Sequence, residues 1–183
     1  MRLFLSQKNK NSSQRGFTLV ESLVAISILL VAIAGPLTLV VKALQLSNYA
    51  TTRVAAGFLA QDALEYIRNI KDTNALAGNL WLSGIPSQCF YPTFCAIDTT
   101  QAISGAFVLC PSNVCPPLHQ NGTTFSYNQV LSDTETIFTR SVQFKDAYNS
   151  GSDDKFVFVT ISWQVSGVSK SMTVQTSLRD WHY

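Results

Sequence analysis

Residues 15–42 read RGFTLVESLVAISILLVAIAGPLTLVVK. Between Phe17 and Val41 the one charged side chain is Glu21, and the others are apolar, small or hydroxylated. At a rise of ~1.5 Å per residue, a helix over this stretch is about 37 Å long, which exceeds the ~30 Å thickness of a bilayer's hydrocarbon core. The stretch therefore predicts a transmembrane helix over residues 17–41.

Glu21 is the unusual feature of this helix. A carboxylate inside a membrane span costs about 3 kcal/mol even on the more lenient insertion scales, so it needs a cationic partner. Glu21 lies four residues, about one helical turn, after Phe17. Cleavage between Gly16 and Phe17 would create an α-amino group near the place where such a partner is needed. We therefore predict a cut at this junction.

The run from Arg15 to Glu21, followed by its apolar span, resembles the processing and methylation signature of type IV prepilins and type II secretion pseudopilins. The resemblance implies that a membrane aspartyl peptidase cuts after Gly16 and methylates the new amine of Phe17. It also implies that Glu21 meets the N-terminal amine of a neighbouring subunit during assembly. The alternative is a plain signal-anchor helix that begins Gly-Phe by chance.

The basic leader predicts the orientation in the membrane. Residues 1–16 contain Arg2, Lys8, Lys10 and Arg15 and no acidic residue, which keeps the N-terminus in the cytoplasm under the positive-inside rule. The chain is then predicted to be a single-pass protein of the cytoplasmic membrane, with its head outside the cytoplasm. A secretory signal peptide fits poorly, because its apolar core is shorter and precedes its cleavage site.

The resemblance also implies partners and a later location. The partners are the prepilin peptidase and methyltransferase, other pilin subunits through the N-terminal helix, an inner-membrane assembly platform, and membrane lipid before assembly. The later location is an extracellular or cell-surface filament.

Gly35 and Pro36 fall inside the apolar run. Proline lacks an amide hydrogen and its ring clashes with the carbonyl four residues earlier, so a kink or a loosened turn is expected near residues 32–36. In the family, a helix breaker in this part of the span is associated with local melting in the filament. The alternative is a proline that the membrane helix simply tolerates.

The helical pattern continues in amphipathic form over residues 42–73. Apolar side chains recur at spacings of three and four, which predicts a face that lies across a sheet: Ala56, Leu59, Ala63, Tyr66, Ile67 and Ile70. Residues 59–72 also resemble the corresponding segment of minor pilins and of the smallest minor pseudopilins. This likeness favours a minor subunit over a major one.

Residues 74–183 form the predicted globular head. Four cysteines in a loop-rich part of an exported domain imply disulfides. The short spacings favour Cys89 with Cys95 and Cys110 with Cys115, while a nested pairing would join Cys89 to Cys115 around Cys95–Cys110. Zinc is not expected, since the cysteine spacings do not fit a zinc site and His119 is the only nearby imidazole.

Three strands are predicted from alternating apolar residues at 136–144, 155–165 and 168–178, in an antiparallel meander with one solvent-exposed face and one face covered by the helix. Residues 74–88 and 111–122 are expected to be loops. The predicted fold class is therefore α+β, with a long N-terminal helix packed on a C-terminal antiparallel sheet, the pilin fold.

Composition narrows the function. Charged residues make up 13% of the chain, and removal of the leader changes the count from 13 basic and 11 acidic residues to 9 and 11, a net charge of 9 − 11 = −2. This balance does not predict nucleic-acid binding. No nucleophile motif, phosphate loop, cofactor motif or metal-ligand spacing is evident, so no enzyme activity is expected. The leading interpretation is a minor pilin or pseudopilin; the alternative is a signal-anchored extracytoplasmic binding module outside any filament.

Overall fold

The protein is described by a computed structural model, over residues 16–147, 154–165 and 167–180. It contains a long helix, a short helix and seven strands. In chain order these are α1 (Leu19–Leu76), β1 (Cys95–Ile97), α2 (Ile103–Ala106), β2 (Phe107–Leu109), β3 (Pro117–Gln120), β4 (Tyr127–Asn128), β5 (Thr134–Asp146), β6 (Lys155–Val165) and β7 (Val168–Leu178).

Helix α1 runs through two compact units, of which one ends at Ser47 and the other begins at Asn48. The second unit therefore includes the amphipathic part of the helix as well as the predicted head. The helix ends with a Schellman motif, in which Gly78 has a φ of 72°. The amide of Gly78 donates to Ala75 O at 3.1 Å and that of Asn79 to Asn74 O at 2.9 Å.

Strand β5 is the centre of the sheet. One of its edges pairs with β6, which pairs in turn with β7. Its other edge pairs with β3 near its start and with β1 near its middle, while β4 and β2 extend the sheet beyond those strands. All of these pairings are antiparallel, so the predicted α+β class is confirmed.

Two details of the predicted sheet were wrong. The sheet has seven strands rather than three, because β1 to β4 are too short to show a periodic pattern. The loop expected over residues 111–122 contains β3, where Pro117 pairs with Thr139 and His119 with Glu135. The three predicted strands correspond to β5, β6 and β7.

The core lies between the amphipathic part of α1 and the inward face of the sheet. The predicted helix face is buried except for Tyr66, which is half-buried. The sheet contributes every second residue of its long strands: Phe138, Val142, Phe144, Val157, Val159, Ile161, Trp163 and Leu178. The helix therefore covers the dry face, as predicted.

Arg140 interrupts this apolar face and is fully buried. Its guanidinium donates to Ile97 O at 2.9 Å and to Leu59 O at 3.2 Å, and it forms an ion pair with Asp62 at 2.7 Å. Burial lowers the pKa of Arg140, while the hydrogen bond and charge of Asp62 oppose that effect. One side chain thus joins α1, β1 and β5 at the centre of the head.

Candidate functional site

The predicted cleavage junction precedes α1 and is exposed. Gly16 and Phe17 lie outside the helix, and the Phe17 side chain is 77% exposed. A Cβ added at Gly16 would meet nothing within 4 Å, so packing within this chain does not require glycine there. The rest of the predicted leader, residues 1–15, lies outside the described residues. None of the described residues packs over Gly16 or Phe17, and cleavage between them stays a prediction.

Thr18 fixes the start of the helix. The amide of Glu21 donates to Thr18 Oγ1 at 3.2 Å, and the amide of Ser22 donates to Thr18 O at 3.1 Å. A threonine at the N-cap followed three residues later by glutamate is the sequence pattern of a capping box. This role of Thr18 was not predicted, although the Thr-x-x-Glu spacing indicates it.

Glu21 lies in the first turn of α1, where the partial positive charge of the helix N-terminus favours a carboxylate. The same partial charge disfavours the α-amine that cleavage would create at Phe17. No ion pair to Glu21 is present among the described residues. This helix end therefore favours the carboxylate of Glu21 and disfavours an α-amine.

The apolar part of α1 has no cover within the described chain. Every residue from Gly16 to Asn48 is exposed, including large apolar side chains such as Leu23, Leu30 and Leu37. This helix is long and apolar enough to cross a membrane. Its hydroxyl groups bond back to the backbone, with Ser27 Oγ donating to Val24 O at 2.7 Å. Such local bonds let the polar side chains enter a lipid environment.

Pro36 lies inside α1, and the helix is assigned without a break through Gly35 and Pro36. Thr38 Oγ1 donates to the carbonyl of Gly35 at 2.7 Å, whereas the carbonyl that Pro36 leaves without a helical amide is that of Ala32. The predicted kink and its melting in a filament stay predictions.

The cysteines form two local disulfides, Cys89–Cys95 and Cys110–Cys115, which is the pairing that their short spacings favoured. Within the part of the chain that the structure describes, no group of three or more histidine, cysteine, aspartate or glutamate residues is arranged to hold a metal ion. The disulfides instead close two short loops of the head.

Residues 11–35 match the family model described as the prokaryotic N-terminal methylation motif. The match spans the predicted cleavage junction, Glu21 and the apolar stretch as far as Gly35. No curated protein and no solved structure matches the chain significantly. The motif is thus the part of the chain that matches a known family.

Proposed function

We propose that the chain, whose methylation motif supports membership of the type IV pilin and pseudopilin family, is a minor pilin or pseudopilin. The motif implies processing by a prepilin peptidase and assembly with other pilins, and it points to a structural subunit rather than an enzyme. The uncovered apolar helix fits a membrane-anchored pilin. The machine that such a subunit serves would be a pilus, a secretion system or a DNA-uptake system.

The observation that carries the proposal is the coincidence of the motif with a helix that is bare on every side. A helix that is apolar all round needs lipid or other helices around it. In this proposal, lipid surrounds the helix while the subunit is stored, with its N-terminus in the cytoplasm and its head outside. Helices of other subunits replace the lipid in the filament.

In this proposal, Glu21 sets the axial alignment of the helices of neighbouring subunits in the filament. The α-amine of Phe17 is poorly placed at the positive end of its own helix, so a carboxylate from a neighbouring subunit is a favourable partner. A wrong register would leave both charges unpaired in an apolar core, which is strongly unfavourable. The aligned contact is therefore favoured over shifted ones.

The processing step is tested by intact mass spectrometry of the chain expressed with and without a prepilin peptidase. We expect residues 1–16 to be lost and one methyl group to be added at Phe17 only when the peptidase is present. An unchanged mass, with the peptidase shown active on a control prepilin, would favour the signal-anchored binding module instead.

The assembly step is tested by Glu21→Ala, with Glu65→Ala as the matched control on the head half of the same helix. Glu21→Ala should be cleaved and membrane-resident, but at least about tenfold less abundant in purified filaments, since loss of a buried ion-pair partner costs several kcal/mol. Glu65→Ala should enter filaments normally. Normal incorporation of the Glu21 variant would remove the role proposed for that carboxylate.

A further inference from the structure

The outward face of the sheet, opposite to the helix, carries a groove. Two cavities of about 350 and 480 Å³ share Thr139 and Ser162 in their linings, so they adjoin each other across β5 and β6. We call it the sheet groove. The loop closed by the Cys110–Cys115 disulfide walls one end with Asn113 and Cys115, so a covalent link limits the movement of that wall.

The strand register arranges neutral hydrogen-bonding groups in rows across this face. Hydroxyl and amide side chains both donate and accept hydrogen bonds. In three successive rows over β5 and β6 the residues that line the groove are Gln143–Phe158, Ser141–Thr160 and Thr139–Ser162.

The sheet groove has almost no charge. Glu135, near the end that Pro117 lines, is the one charged side chain in its lining among the described residues. Phosphate, sulfate and carboxylate ligands are normally bound by arginine or lysine side chains. The lining is therefore unsuited to nucleic acids and to anionic polymers.

Two phenylalanine rings lie in the cavity that the disulfide-closed loop walls. Phe94 and Phe158 are half-buried and line the cavity beside Gln143. Phe158 is held by an edge contact with Phe156, whose ring centre is 6.4 Å away. An aromatic face offers a flat apolar surface next to hydrogen-bonding groups.

We propose that the sheet groove binds a segment of a neutral polysaccharide. Each sugar ring of such a polymer has an apolar C–H face, which suits Phe94 and Phe158, and a rim of hydroxyls that donate and accept, which suits the serine, threonine and glutamine rows. Two adjoining cavities of about 350 and 480 Å³ offer room for more than one sugar ring. The absence of cations from the described lining matches a ligand without charge.

A protein partner fits the groove less well. The cores of protein interfaces are depleted of serine. The centre of the sheet groove instead consists of Thr139, Ser141, Thr160 and Ser162. This composition favours a hydroxylated polymer over a second copy of the chain.

The test uses the full chain in lipid nanodiscs and measures its retention on microcrystalline cellulose and on chitin beads, with heparin beads as the anionic probe. Ser162→Glu places a charge in the shared part of the groove. Ser171→Glu is the matched control, because Ser171 pairs with Ser162 on the same face but lies outside both cavities.

We expect wild type to be retained on at least one neutral polysaccharide and not on heparin. Ser162→Glu should weaken retention by about tenfold or more and Ser171→Glu by less than about twofold, since an unpaired charge in a contact costs far more than one beside it. Phe158→Ala should also weaken retention, with near-ultraviolet circular dichroism used to show that both groove variants are folded.

The proposal is overturned if wild type is retained on neither neutral polysaccharide, or if a folded Ser162→Glu variant is retained as well as wild type. It is also overturned if Ser162→Glu changes self-association, measured by cross-linking, while retention is unaffected, because the groove would then be an interface between copies. None of these outcomes bears on the leader cleavage, so this inference and the proposed function fail separately.

Discussion

The two halves of α1 are both helical, but they differ in how much of their side-chain surface is buried. Residues 19–47 have exposed side chains throughout, whereas the half that begins at Asn48 buries a stripe against the sheet. The first half is apolar on all sides, and the second is apolar on one face only. The distribution of apolar residues around the helix axis therefore indicates what covers each half. An apolar stripe packs on a sheet, whereas a helix that is apolar all round is surrounded by lipid or by other helices.

Arg140→Met should produce the largest effect, because it tests whether the second half of α1 is held by a charge as well as by apolar packing. The variant leaves Ile97 O without the Arg140 donor and breaks the ion pair with Asp62, and we expect the free energy of unfolding to fall by about 3–5 kcal/mol. The measurement is denaturant unfolding of the full chain in detergent, followed by tryptophan fluorescence.

Lys145→Met is the control for that experiment, since Lys145 lies on the same strand and is exposed. Its ammonium contacts the Tyr91 ring at 5.0 Å, and its loss should lower the free energy of unfolding by less than about 1 kcal/mol. Equal effects from the two variants would show that Arg140 does not hold the helix to the sheet.

The same substitution in each half of α1 tests the comparison directly. Ile67 is 1% exposed and Ile28 is 64% exposed. Ile67→Ala should lower the free energy of unfolding by about 3 kcal/mol through a cavity in the core. Ile28→Ala should change it by less than about 0.5 kcal/mol.

Tryptophan fluorescence reports the unfolding of the head, because Trp81, Trp163 and Trp181 all belong to residues 74–183. If Ile28→Ala destabilised the head as much as Ile67→Ala, the two halves of the helix would form one cooperative unit and the contrast between them would be lost.

The smallest effect is expected at Tyr66, on the border of the buried face. Its hydroxyl donates to Gln101 O at 2.7 Å, so Tyr66→Phe should lower the free energy of unfolding by about 1 kcal/mol at pH 7. Burial and then the charge of Asp98 raise the pKa of Tyr66 above its ordinary value of 10.0. In the unfolded chain the phenol ionises at a lower pH than in the folded chain.

The wild-type protein therefore loses stability as the pH rises from about 10 through the folded pKa of Tyr66. The phenylalanine variant lacks this loss, so the difference in free energy of unfolding between the two proteins should narrow above pH 10. Tyr91→Phe, at an exposed ring, is the control and should change the free energy of unfolding by less than about 0.5 kcal/mol. A difference that widened with pH would contradict the shift.

Features with a long or local signal were predictable from the sequence. The spacing of its apolar residues is enough to predict α1, and the alternation of apolar and polar residues is enough to predict β5, β6 and β7. Strands β1 to β4 are two to four residues long, and they exist because β5 provides partners on an edge that no local pattern reveals. Their prediction requires knowledge of contacts between distant residues.

Arg140 was missed for a related reason. It occupies an inward position between Phe138 and Val142, and alternation alone assigns that position to an apolar side chain. The informative signal was the exception itself, since a charged residue at an inward position requires partners. At the junction, by contrast, the motif from Arg15 to Glu21 is local, and its family match is correspondingly clear.

The order of the core residues along the chain determines when the head can be completed during synthesis. The last core residue of the helix, Ile70, precedes the last core residue of the sheet, Leu178, by 178 − 70 = 108 residues. Ribosomes add about 5–20 residues per second, so about 5–20 s of synthesis separate the helix stripe from its complete cover. Strand β5 cannot complete its sheet before β6 and β7 are made, because β6 pairs with one of its edges and β7 pairs with β6. The helix stripe is thus complete well before the strands that cover it.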